Sequence, residues 1–72
     1  MDDTVYTLLN EQIQKELYSA YFYLDMADYY SDAGLAGFSN WFYVQAQEEM
    51  DHAMLFRGYL LNNSQKVKLL PI

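Results

Sequence analysis

No cysteine occurs in this sequence, which excludes disulfides and thiolate-bound metals and makes a reducing cytoplasm the compatible setting. Basic residues are scarce: four Lys and Arg stand against ten Asp and Glu, for a formal charge of −6. That balance opposes non-specific nucleic-acid binding and favours attraction of cations. No apolar run approaches the roughly 20 residues of a membrane span. The opening Met1-Asp2-Asp3 has no basic region, so neither anchor nor signal peptide is expected. Glycine and proline are absent from Asp3 to Ser31, which removes the usual helix breakers over that stretch.

What is abundant is apolar and aromatic. Hydrophobic residues make up 53%, with eight Tyr, four Phe and one Trp among 72 residues. A chain of this length forms at most one small domain, whose core alone contributes about 3–5 kcal/mol. Two helices cannot hide so much apolar surface from water, so association is expected before any motif is considered.

Apolar residues recur at helical spacing over two stretches, which predicts an all-α antiparallel hairpin: a helix over about 3–31, a turn over 32–36, a second helix over about 37–61 and an extended tail over 62–72. Asp3 or Thr4 is the expected cap of the first helix. Gly34 suits the left-handed position after its end. The first helix carries the seam Leu9, Ile13, Glu16, Ala20, Tyr23, Ala27 and Tyr30 in steps of four and three. Leu17, Tyr21 and Leu24 form a second stripe, while Tyr18, Phe22 and Met26 add apolar groups on another side. One partner helix would not cover all of them.

The second helix carries the seam Phe38, Phe42, Gln45, Glu49, His52, Phe56 and Tyr59. Glu49 and His52 stand three residues apart in the middle of it, so both side chains point the same way. Glu16 lies 18 residues before Gly34, whereas Glu49 and His52 lie 15 and 18 after it. In an antiparallel hairpin these three polar residues share one level, to within about 5 Å along the axis. A carboxylate pair and an imidazole inside an apolar seam need each other or a metal. Glu-x-x-His on one helix with Glu on its neighbour is half of the ligand set of carboxylate-bridged dinuclear sites in helical bundles. One carboxylate can bridge two ions while the imidazole binds one of them. The bland alternative is a buried Glu-His pair with a second Glu as hydrogen-bond partner, an expensive core.

Several segments together resemble one family: Leu9-Asn10-Glu11-Gln12-Ile13, Glu16-Leu17-Tyr18-Ser19-Ala20-Tyr21, Gly34-Leu35-Ala36-Gly37-Phe38 and Gln45 through Met54 look like the first two helices of prokaryotic non-haem ferritins. The resemblance covers essentially the whole chain. It implies half of a ferritin-like four-helix bundle, iron oxidation and intracellular iron storage in the cytoplasm, two iron ions per completed bundle, and dioxygen or peroxide as oxidant. It also implies that Glu16, Glu49 and His52 are the metal ligands with Glu49 bridging, that Tyr23 stands beside that centre in a catalytic role, and that Glu48 binds an adjacent third iron. The bundle would be closed by self-association or by a complementary helical hairpin, in a homo-oligomer or shell, with no nucleic acid and no membrane involved. Two readings stand beside it: a non-catalytic oligomerisation module whose buried polar residues set register, and a rubrerythrin-like di-iron peroxidase. Met50 and Met54 are read as core or interface rather than haem ligands. Gln45, one turn before Glu49, is the expected orienting group, and Asp25, Asp28 and Asp32 are read as a solvated face.

Overall fold

The computed structural model describes residues 1–72 as two long helices, α1 (Asp3–Asp32) and α2 (Ala36–Asn62), followed by a tail without regular secondary structure. The first helix is capped by Asp2, one residue before the expected cap. Its Oδ1 accepts the backbone N–H groups of Thr4 at 2.7 Å and Val5 at 3.2 Å. Those are the second and third residues of the helix, the amides that a capping side chain reaches.

Both helices end in the same hydrogen-bonded turn. After α1, Leu35 N–H donates to Tyr30 and Gly34 N–H to Ser31, at 2.9 and 3.0 Å. After α2, Gln65 N–H donates to Leu60 and Ser64 N–H to Leu61, at 2.9 and 3.1 Å. This paired arrangement satisfies the last carbonyls and puts the residue past the cap in the left-handed region. Gly34 takes that place with φ +76°, and Ser64 takes it with φ +59°. Glycine does so without a Cβ penalty, whereas serine pays one.

The helices pack antiparallel into a ribbon of 48 × 19 × 13 Å with a radius of gyration of 14.7 Å. A compact chain of this length would measure about 11 Å. Elongation leaves 5266 Å² accessible, against roughly 4,700 Å² for a globular monomer of the same mass. The line of contact consists of Ile13, Ala20 and Ala27 on α1 and Ala46, Ala53 and Leu60 on α2, all buried. Alanines at four of these six positions bring the helices close together. Near the turn, Ser39 Oγ donates to the Ala27 carbonyl at 2.8 Å and ties one helix to the other.

Two grooves flank this line. One is occupied by the tail, which runs beside α1 in the same direction. Lys66 O accepts from Tyr6 Oη, Lys68 exchanges hydrogen bonds with Asn10, and Ile72 reaches the pocket between Leu17, Tyr21 and Met50. Asn10 is 6% exposed; its Nδ2 donates to Lys68 O at 2.7 Å and its Oδ1 accepts from Lys68 N–H at 3.0 Å. The side-chain amide thus replaces a neighbouring strand, and both backbone groups of Lys68 are satisfied. Val67 packs on the cluster of Ile13, Ala53 and Leu60. The other groove holds the polar seam residues.

Candidate metal centre

Glu16 from α1 and Glu49 and His52 from α2 meet halfway along the ribbon. One potential ligand atom from each lies within 4.8 Å of the others. His52 Nδ1 stands 3.6 Å from Glu16 Oε2 and 3.9 Å from Glu49 Oε2. Donors bound to one ion at about 2.0–2.2 Å are at most roughly 4.4 Å apart, so movements of a few tenths of an ångström would bring all three onto a common ion. Two carboxylates and an imidazole suit iron, manganese or zinc.

Burial across the site is uneven. The side chains of Glu16 and Glu49 are 15% and 22% exposed, while that of His52 is 51% exposed. The sequence reading expects all three to be desolvated in the seam. The imidazole stands at the open edge of its groove, because the tail that returns onto the hairpin fills the opposite one.

The two carboxyls of the trio are shifted in opposite directions. Glu49 is held above its ordinary value of 4.5, first by the hydrogen bond between its carboxyl and Glu16, then by desolvation and by repulsion from Glu16, with His52 opposing. Glu16 is held below that value, chiefly because it accepts from Glu49, with desolvation opposing and Gln12 and His52 helping. Of the two carboxyls, Glu49 is therefore the one that holds a proton to higher pH. An ion would displace it.

Gln12, one turn before Glu16, donates from Nε2 to Glu16 Oε1 at 3.0 Å. The orienting bond comes from this residue and not from Gln45, which makes none to Glu49. The signal was available: Gln12 and Glu16 are four apart on one helix face.

The other candidates stand outside the trio. Tyr23 lies two turns beyond Glu16, half buried, with its ring 6.1 Å from Phe42. It belongs to an aromatic run that continues through Tyr30, stacked on Phe42 at 5.4 Å, and Phe38, 5.4 Å from Tyr30. Glu48 is exposed and absent from the cluster; it acts on Glu49 only as a nearby negative charge. Asp25, Asp28 and Asp32 are exposed, as are Met50 and Met54. Beside Glu16 and His52 the groove is lined by Val5, Leu9, Leu55, Phe56 and Tyr59. No helix is long and apolar enough to cross a membrane.

Comparison with known proteins gives the chain relatives. The family model described as the ferritin-like domain matches residues 6–72. A bacterial non-heme ferritin of Bacteroides fragilis is 38% identical over 61 residues, covering 85% of this chain and 38% of that protein. One of Campylobacter jejuni is 40% identical over 65 residues, covering 90% and 39%. Among solved structures, an open pore ferritin from Archaeoglobus fulgidus superposes with a TM-score of 0.94 at 44% identity, covering all of this chain and 44% of that one. The chain thus spans about two fifths of the relatives it matches.

Proposed function

Since the chain belongs to the ferritin-like domain family, we propose that it contributes one half of a dinuclear iron-oxidising centre and serves iron oxidation and storage in the cytoplasm. Iron(II) is both substrate and cargo. Glu49 would bridge two ions, Glu16 and His52 would each bind one terminally, and a second pair of helices would supply the remaining ligands. Two Fe(II) ions would each give one electron to dioxygen, which takes up two protons and leaves as hydrogen peroxide.

The observation that carries this reading is the convergence of Glu16, Glu49 and His52, from two helices, to within 4.8 Å in an otherwise apolar groove. Gln12 supports it by fixing one ligand oxygen. The net charge of −6 draws cations towards the chain. Tyr23 is assigned the role of electron or hydrogen-bond donor beside the centre, and Glu48 that of ligand to a neighbouring third iron.

Anaerobic iron(II) loading followed by air tests the function. The expected result is rapid growth of ferric absorbance that Glu49→Ala abolishes; equal slow growth in both proteins would leave only a helical pairing module. Faster oxidation by peroxide than by dioxygen would favour the peroxidase reading instead.

A further inference from the structure

Resting on that reading, we infer that Gln12 is a positioning residue that divides the work of the two glutamates: its amide takes one oxygen of Glu16, so Glu16 binds an ion through the other alone, while Glu49 keeps both of its oxygens for bridging. The controlling bond lies within α1. Gln12 and Glu16 stand one turn apart on the same face, and Gln12 Nε2 donates to Glu16 Oε1 at 3.0 Å. A carboxylate can only accept, so the amide presents its nitrogen to it and not its oxygen.

The two oxygens of Glu16 therefore face different partners. Oε1 is held along its own helix, whereas Oε2 lies towards α2, 3.6 Å from His52 Nδ1. An ion among Glu16, Glu49 and His52 meets Oε2. To take Oε1 as well it would have to turn the carboxylate, and a hydrogen bond to a charged acceptor opposes that turn. The local backbone holds the donor in place. Ile13, next to Gln12, is 1% exposed in the line of contact between the helices, which fixes the rotation of this turn, and Gln12 itself is half-buried.

Glu49 is treated differently. Gln45 stands one turn before it, as Gln12 stands before Glu16, yet donates nothing to it; the hydrogen-bond partner of Glu49 is the Glu16 carboxyl. An ion between the carboxyls replaces that contact and leaves neither Glu49 oxygen restrained by an amide. A bridging carboxylate uses both oxygens and a terminal ligand uses one. The donor at residue 12 supplies that difference between two otherwise identical side chains.

Gln12→Met keeps the length of the side chain and removes the donor. Gln12→Ala removes it too and introduces the best helix former. Zinc(II) is the probe, with affinity read by calorimetry and binding mode read from the infrared difference spectrum between zinc-loaded and metal-free protein. A carboxylate bound through one oxygen separates its antisymmetric and symmetric stretches widely, whereas one that chelates separates them narrowly. The parent protein should show the wide pair and Glu16→Gln should lack it. Both Gln12 variants should lose it while circular dichroism shows their helix retained, and their zinc affinity should fall about tenfold. A parent spectrum without the wide pair overturns the one-oxygen assignment, whatever the variants do. A wide pair that persists in the variants, or an unchanged affinity, overturns the role of Gln12 while the metal centre stands. No zinc bound by the parent protein overturns the functional reading and this inference with it.

Discussion

The two grooves between α1 and α2 share the same pair of helices yet treat polar groups in opposite ways. In the tail groove, Asn10 and the backbone of Lys68 satisfy each other with two neutral hydrogen bonds. Nothing further is required there, because donors and acceptors are matched. In the groove that holds the polar seam residues, two carboxylates and an imidazole face one another with 3.6 to 3.9 Å between His52 and each Glu, so charged groups meet where the other groove has neutral ones. The chain closes one side of itself with its own backbone, whereas on the other side it leaves two carboxylates and an imidazole together at a partly open groove.

The largest effect that would break the comparison is metal stabilisation. An ion that binds only the folded state stabilises it by about 2.7 kcal/mol at about a hundred times its Kd, or roughly 10–20 °C in Tm for a chain of this size. Zinc(II) should produce such a rise in thermal unfolding followed by circular dichroism, and Glu49→Ala should lose it. Equal midpoints with and without metal would show the ligand groove to be as self-sufficient as the tail groove. Next in size is Asn10→Leu, which removes both part-buried hydrogen bonds to the backbone of Lys68 at a cost of about 1–2 kcal/mol. Its Tm should fall while zinc affinity, measured by calorimetry, stays the same; a parallel loss of affinity would mean that the grooves are coupled.

Gln12→Leu should act in reverse, weakening zinc binding about tenfold, as loss of a ligand's hydrogen-bond partner does, with little change in metal-free stability. The two turns offer a smaller contrast. A Cβ at Gly34 would meet no atom within 4 Å, so Gly34→Ala should cost only the left-handed backbone penalty of about 1 kcal/mol. Ser64→Gly, at the turn that launches the tail, should relieve a strain of the same kind, and comparative urea unfolding reads both.

The smallest effect is one of pH in the metal-free protein. Glu49, whose folded value is raised, contributes stability that is fully present below the unfolded value near 4.5 and lost as pH rises through the folded one; Glu16, whose value is lowered, contributes stability present above 4.5 and lost as pH falls through its own folded value. Glu49→Gln can still donate to Glu16 and never ionises. Its unfolding midpoint should exceed that of the parent protein at neutral pH in chelator, and the gap should close towards pH 4. A constant gap would mean that the two carboxyls do not share a proton.

The sequence by itself determined the two helices, the turn at Gly34 and the common level of Glu16, Glu49 and His52. Apolar periodicity and an unbroken run from Asp3 to Ser31 specify helix, and counting residues from a tight turn specifies height at 1.5 Å per step. These are local or additive properties. What only the tertiary structure decided depends on contacts between residues far apart in the chain: the return of the tail onto α1, the partnering of Asn10 with Lys68 across 58 positions, and the half-exposure of His52. Side-chain direction belongs with these. Gln12 rather than Gln45 bonds a carboxylate of the trio, and Glu48, next to Glu49 in sequence, lies outside it, because a step of one residue turns a helix by 100° and only packing settles which neighbour each side chain meets.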